Sequence, residues 1–204
     1  MFYFAIDIEA TGQFLTKNAM IAFGCTLMNE KSEEVDNFVG FMKVPEGRGW
    51  ETRCVEEFWS KQQETLKYIE DRSEEPEKVM LNFAEWLDKI DLKYGSEMVV
   101  LSDNGGYDYA WIDTYLSEFT TRPSIYYRLK CINTEKEYGF RRTWDTNSVY
   151  HGALTIKRKG EYVQWSLEKE LGCQNDKWNN DHNPLNDARN IAANYIMFTD
   201  MSKK

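Results

Sequence analysis

Asp7 and Glu9 stand two residues apart in "FAIDIEATG" (4–12), a stretch that otherwise has the composition of a buried strand. Successive strand side chains alternate faces, so the two carboxylates point the same way. Side by side on a half-buried surface they repel each other and lose hydration. A bound cation, a basic neighbour or a strand end open to water would offset that cost. Two further acids stand where helices are expected to start. Asp108 lies in "SDNGGYDYAW", where Gly105 and Gly106 permit a tight turn from strand to helix. Asp187 lies in "DHNPLNDARNIAANYI", where Asn183 can cap a helix and Pro184 suits its first turn. His182 sits just ahead, on a loop. Each has a plainer reading alone: an acid at a helix start complements the helix dipole, and a histidine before a helix can be a cap or a surface residue. As an ordered set, four carboxylates and one histidine without sulfur describe a site for hard divalent cations, Mg²⁺ or Mn²⁺. Two such cations, roughly 3.5–4 Å apart, clamp the attacking and leaving oxygens of a phosphodiester, and histidine titrates near neutral pH as the base requires. Cations between Asp7 and Glu9 would then remove their mutual repulsion.

The elements that must position these residues follow from periodicity. Strands are expected at 2–9, 18–30 and 34–44, with connections short enough for an antiparallel meander. Helical spacing runs through 53–72 and, more clearly, through 75–95, where Val79, Phe83, Trp86, Leu87 and Ile90 form an apolar stripe between Pro76 and Gly95. A short buried strand (97–104) leads into a helix from about Tyr107 to Phe119. Residues 121–162 resist assignment apart from a strand near 141–145, and the basic "TIKRKGEY" reads as a hairpin or mobile loop. Helices at 166–172 and 184–198 finish the chain. Three hairpin-joined strands followed by alternating helices and strands predict an α/β fold, a mixed sheet covered by helices, with the site where strand ends meet helix starts.

Composition bounds the rest. With 204 residues, 42% hydrophobic and 15% aromatic, the chain is long and apolar enough for one ordered domain spanning 1–204. A net charge of −9 argues against a broad basic nucleic-acid footprint, though metal ions can supply positive charge within a small site. Cys25, Cys54, Cys131 and Cys173 are scattered, with no CxxC pair, which disfavours zinc and a disulfide framework. With neither a signal peptide nor a membrane span in view, the expectation is a soluble cytoplasmic protein in a reducing compartment, with no membrane partner.

"DIEATG", "NGGYD" and "HNPLND" resemble the three motifs of the DEDDh group of DnaQ-like 3′–5′ exonucleases, which have a ribonuclease H-like fold. The motifs run in the same order from residue 7 to residue 187. The resemblance implies two divalent ions, Mg²⁺ or Mn²⁺, held by Asp7, Glu9, Asp108 and Asp187, with His182 as general base. Asp103 competes with Asp108, whose spacing from Asn104 fits the motif. The implied activity is removal of nucleoside 5′-monophosphates from the 3′ end of single-stranded DNA or RNA; the alternative is a non-catalytic nucleic-acid or protein-binding module on the same fold. "EEFWSKQ" and "RRTWDTNSVY" look like the branch that holds phage exonuclease A and ribonuclease AS, although Phe58 stands where that branch has a tryptophan. By that likeness Trp59 and Gln62 touch the terminal nucleotide, with a core position as the alternative for Trp59, and Asp145 orders the site. The family also implies that backbone at Ala10, Thr11 and Gly12 holds the 3′ nucleotide and that Phe14 or Leu15 acts as a wedge. The basic residues Arg141, Arg142 and 157–162 would meet phosphates, or form a solvated hairpin. Many members dimerise, so a homodimer is compatible with the resemblance.

Overall fold

A computed structural model describes residues 1–95, 98–132, 135–140, 142–157 and 167–201. Its centre is a five-stranded mixed sheet. Strands β1 (Phe2–Ala10), β2 (Met20–Asn29) and β3 (Glu34–Phe41) form the expected antiparallel meander, and β4 (Met98–Ser102) and β7 (Arg142–Asp145) add in parallel, in the order β3-β2-β1-β4-β7. This is a ribonuclease H-like α/β architecture. A separate hairpin, β5 (Tyr127–Ile132) with β6 (Glu135–Phe140), precedes β7.

Alternation along β1 sorts its side chains between two cores. Phe4, Ile6 and Ile8 face α3 (Pro76–Tyr94) and α4 (Gly105–Phe119), packing with Phe83, Leu87, Trp111 and Tyr115. Tyr3 and Ala5 face α5 (Thr146–Lys157) and α7 (Pro184–Met201), packing with Tyr150, Leu154, Ala188 and Ile191. Asp7 and Glu9 continue that second row. They therefore emerge on the α7 side at the strand's carboxyl end, next to the carboxyl end of β4.

Two stretches depart from expectation. The helix predicted over 53–72 is broken into α1 (Thr52–Glu57), a 3₁₀ turn (Trp59–Lys61) and α2 (Gln63–Glu70). The break lets the fully buried Trp59 donate its indole N–H to the Ala10 carbonyl, 3.1 Å away, a tertiary contact that overrides local periodicity. Within 121–162, helix α5 and the β5–β6 hairpin lay beyond the sequence reading, since neither carries a clean apolar period. Residues 155–157 of "TIKRKGEY" end α5, whereas Arg141 and 158–162 lie outside the described residues. The final helices match closely, as α6 (Leu167–Leu171) and α7. No helix among the described residues is long and apolar enough to cross a membrane.

Behind the sheet, Arg122 ties α3 to the segment after α4. Only 2% exposed, it ion-pairs with Asp88 and Asp91 and donates to the Tyr127 carbonyl at 2.8 Å. Removing one partner of a buried pair leaves the other charge uncompensated, at a cost of about 3–5 kcal/mol. Arg122→Met is expected to lower unfolding free energy by about that amount in urea titrations, whereas Lys43→Met, at an exposed pair with Glu75, is expected to change it by less than about 1 kcal/mol.

Candidate active site

Three element ends converge beyond the carboxyl edge of β1. Asp7 and Glu9 come from β1, Asp103 from the turn after β4 and Asp108 from the first turn of α4, and His182 and Asp187 from the loop before α7 and its first turn. Ligand-capable atoms of Glu9, His182 and Asp187 lie within 4.8 Å of one another, as do those of Asp7, Asp103 and Asp108. Glu9, Asp108 and Asp187 are buried, and Asp7, Asp103 and His182 partly so.

Each side chain is held by backbone or by a neighbour. Asp187 accepts backbone N–H bonds from Asp181 (2.9 Å) and His182 (3.1 Å), so its carboxylate moulds the loop that precedes its own helix. His182 takes a φ of 59°, a conformation that costs a non-glycine residue energy and that this cradle stabilises. Its ring meets Phe58 edge-on at 4.8 Å, and its Nδ1 lies 3.6 Å from Glu9 Oε1. Asp108 accepts a short hydrogen bond from the Ser102 hydroxyl, which itself accepts the Asn104 N–H at 3.0 Å. Asp145 receives the N–H groups of Gly105 (2.8 Å) and Ser148 (2.6 Å), joining the starts of α4 and α5.

Two positioning residues were not singled out from the sequence. Gly24 pairs with Asp7 across β1 and β2, and a Cβ there would lie 2.3 Å from both the Pro184 carbonyl carbon and the Leu185 nitrogen. The bare backbone is what lets α7 begin close to the sheet and deliver Asp187. A glycine inside an otherwise apolar strand is the available signal for such an approach. Ser102 is the second, a fully buried polar residue ending a hydrophobic strand.

Electrostatically the cluster is unbalanced. Burial, followed by the charges of Asp108, Glu9, Asp187 and Asp103, pushes the Asp7 carboxyl well above the usual range. Burial likewise raises Glu9 and Asp108, opposed by His182 at the first and by the Ser102 hydroxyl at the second. Asp187 is raised to about 7, chiefly by burial, and the Glu9 carboxylate raises His182. Asp7 Oδ2 is inaccessible and has no hydrogen-bond partner. Crowded carboxylates, one orphaned oxygen and no sulfur suit a hard divalent cation. Asp7, Glu9, Asp108 and Asp187 are the residues that could hold it.

Beside the acids lies a cleft of about 270 Å³ lined by Glu9, Ala10, Gly12, Cys54, Phe58 and Tyr107 among others. Of the residues expected to touch substrate, Ala10 and Gly12 line it. Thr11 is fully buried, with its hydroxyl bonded to Gly49 and Ala19 and its backbone to Ala19 and Glu51, so it shapes the corner rather than facing the cleft. Trp59 occupies the core position and acts on the cleft from beneath, by holding the Ala10 carbonyl and by packing edge-on at 4.9 Å against Phe58. Gln62 lies outside the lining, at the start of α2. Phe14 is 55% exposed and also outside the lining, projecting from the loop that Asn18 fastens through the Phe14 N–H (2.9 Å). Phe58 and Tyr107, whose hydroxyl donates to the Gly12 carbonyl at 3.0 Å, form aromatic walls that the sequence did not mark.

Two outcomes follow from this geometry. Gly24→Ala forces the start of α7 outward, and calorimetry is expected to show weakened Mn²⁺ binding, with overpacking costing about 1–3 kcal/mol of stability and the circular dichroism spectrum retained. The pH response comes from carboxyls whose folded pKa lies above the unfolded value. Between those two values the folded state binds more protons, so in chelator its stability falls as pH rises from about 4 through about 7, the Asp187 value. A divalent ion binds the deprotonated carboxylates and is expected to reverse the trend. Urea midpoints at pH 5 and pH 8, in EDTA and in Mn²⁺, measure both directions.

No protein-family model matches the chain, and no curated protein matches it. Solved structures do. The nuclease domain of 3′hExo, a DEDDh family member bound to rAMP, is 17% identical with a TM-score of 0.63, over 98% of this chain and 92% of that one. A 3′-exonuclease solved in recognition of the histone mRNA stem-loop is 14% identical with a TM-score of 0.62, over 98% and 82%. Exonuclease I of E. coli, in a zinc-bound complex with single-stranded DNA, is 12% identical with a TM-score of 0.61 over 99% of this chain, which spans 39% of that enzyme. At these identities the likeness establishes a shared fold.

Proposed function

We propose that this protein is a metal-dependent 3′–5′ exonuclease in which residues 1–204 act as one catalytic domain. The observation that carries the reading is the gathering of Asp7, Glu9, Asp108, Asp187 and His182 at one end of the sheet, around a carboxylate oxygen with no protein partner. Its support from outside the chain is the fold shared with proteins described as exonucleases, in complexes with rAMP, single-stranded DNA and a stem-loop RNA.

Asp7, Glu9, Asp108 and Asp187 would hold Mg²⁺ or Mn²⁺. When bound, two such ions supply Lewis acidity for the attacking water and charge compensation at the leaving 3′ oxygen. His182 presents Nδ1 to Glu9, which leaves Nε2 to take the proton from water. As water's oxygen bonds to phosphorus, the bond to the preceding nucleotide's 3′ oxygen breaks, that oxygen gains a proton, and a nucleoside 5′-monophosphate departs. The Glu9 carboxylate keeps the resulting imidazolium stable. Ala10, Gly12, Phe58 and Tyr107 form the slot for the terminal nucleotide, with Phe14 at its exposed rim. An aromatic wall suits an unstacked base, which favours single-stranded ends.

The test is a time course on matched single-stranded DNA and RNA, linear and circular, with Mg²⁺, Mn²⁺ or EDTA. Shortening from the 3′ end of linear substrate is expected, with circles untouched and no reaction in EDTA. Asp7→Asn is expected to fold normally and reduce hydrolysis to background. Full activity in Asp7→Asn, or cutting of circles, would refute the reading.

A further inference from the structure

Asp103 is a fifth carboxylate that the nuclease reading does not use, and it lies among the ligands. Its oxygen is within 4.8 Å of ligand atoms on both Asp7 and Asp108, in a group separate from Glu9, His182 and Asp187. On the basis of that reading, we propose that Asp103 is a direct ligand which completes, with Asp7 and Asp108, an all-carboxylate site for a hard divalent cation that is whole before nucleic acid arrives.

Four observations carry this. The position is rigid: Asp103 directly follows Ser102, which is paired with Asp145 on β7, and directly precedes Asn104, whose carbonyl accepts the Tyr107 and Asp108 N–H groups. The orphaned oxygen, Asp7 Oδ2, is carried by a member of this same triad. Among the described residues, no lysine or arginine is ion-paired with any of its three members. Further acids approach it, since Glu168 of α6 and Asp145 both act on Asp103 through their charge. Helix capping does not account for an acid here, because the cap position of α4 is Asn104 and Asp103 lies one residue outside it. Backbone N–H groups at Asp103 and Asn104 and the Ser102 hydroxyl stabilise part of this negative charge, yet burial and the neighbouring acids outweigh them, whereas a cation would offset all of it at once.

Donor chemistry separates the two triads. Three carboxylates select hard, oxygen-seeking ions such as Mg²⁺ and Mn²⁺, and Glu9 and Asp187 in the other group offer carboxylates to a second ion while His182 stays free to act as the base. The substrate-free protein should therefore bind two Mn²⁺, one in each group.

The experiment is calorimetric titration of the substrate-free protein with Mn²⁺, alongside melting curves in EDTA and in Mn²⁺. Asp103→Asn is expected to weaken one of the two sites by about tenfold or more, since even residues that merely support a ligand contribute that much. Without metal the variant should melt higher than the parent, because a like charge is gone, and its Mn²⁺-induced gain in melting temperature should shrink. Glu9→Gln should show the converse pattern, weakening the other site and sparing this one. If Asp103→Asn binds two Mn²⁺ with parental affinity, or melts lower in EDTA as a turn-forming residue would, Asp103 is not a ligand. Should Asp103→Asn fail to fold, Asp103→Ser keeps the turn chemistry without the charge and is judged by the same criteria. Asp7→Asn separates the two levels of inference: loss of Mn²⁺ binding in Asp7→Asn with parental binding in Asp103→Asn overturns this proposal alone, whereas parental binding in both overturns the nuclease reading as well.

Discussion

Helix α7 begins in the space a side chain on residue 24 would fill, and everything at the carboxyl end of the sheet follows from that approach. Gly24 faces Asp7 across β1 and β2, so the helix start is pressed against the strand that supplies the first acids. Asp187 then reaches the cluster from the first turn, and its two backbone hydrogen bonds fold the preceding loop so that His182 faces Glu9. On the far side, the Ser102 hydroxyl and the Asp145 carboxylate fix the other helix start that brings Asp108. The acids are thus held by a frame that does not depend on their own mutual attraction, which as like charges they lack.

The cleft is framed by a second, independent set of contacts. Thr11 and Asn18 both donate to the Gly49 carbonyl, and Arg48 donates to the Leu15 and Asn18 carbonyls while pairing with Glu118 at 2.5 Å. The Glu51 carboxylate accepts the Gln13 N–H at 3.0 Å. Residues 11–18 are therefore stapled to 48–51, and the slot keeps its shape through polar contacts outside the acid cluster. Trp59 closes the arrangement from beneath by anchoring Ala10.

What could be read from the sequence was what local chemistry encodes. The Asp7–Glu9 spacing, the glycine turn before Asp108, and the capped start of α7 each carry their signal within a few residues, and the meander and major helices follow from periodicity. The pieces that escaped depend on distant partners. Trp59 sits at helical spacing, yet its partner is 49 residues away, so the broken helix could not be foreseen. Gly24 looks like any strand glycine until the residue it must admit, 160 positions later, is known. Thr11 sits within a motif that resembles a substrate-binding loop, but its polar groups are all engaged inside the protein. Helix α5 is weakly amphipathic, so the local cap at its start, where the Asp145 carboxylate accepts the Ser148 N–H, is followed by no clear apolar period to mark a helix.

Chain order gives the cluster one more property. Its first acids come from residues 7 and 9 and its last from residue 187, so a nascent chain made from the amino terminus exposes a sheet and most of a core long before it holds a complete ligand set. Until α7 emerges and docks beside Gly24, Asp7 and Glu9 lack both their histidine and their final carboxylate partner. On the proposed reading, the chain would gain its complete ligand set only when α7 has been made and has docked, so the order of synthesis itself sets when the site is assembled.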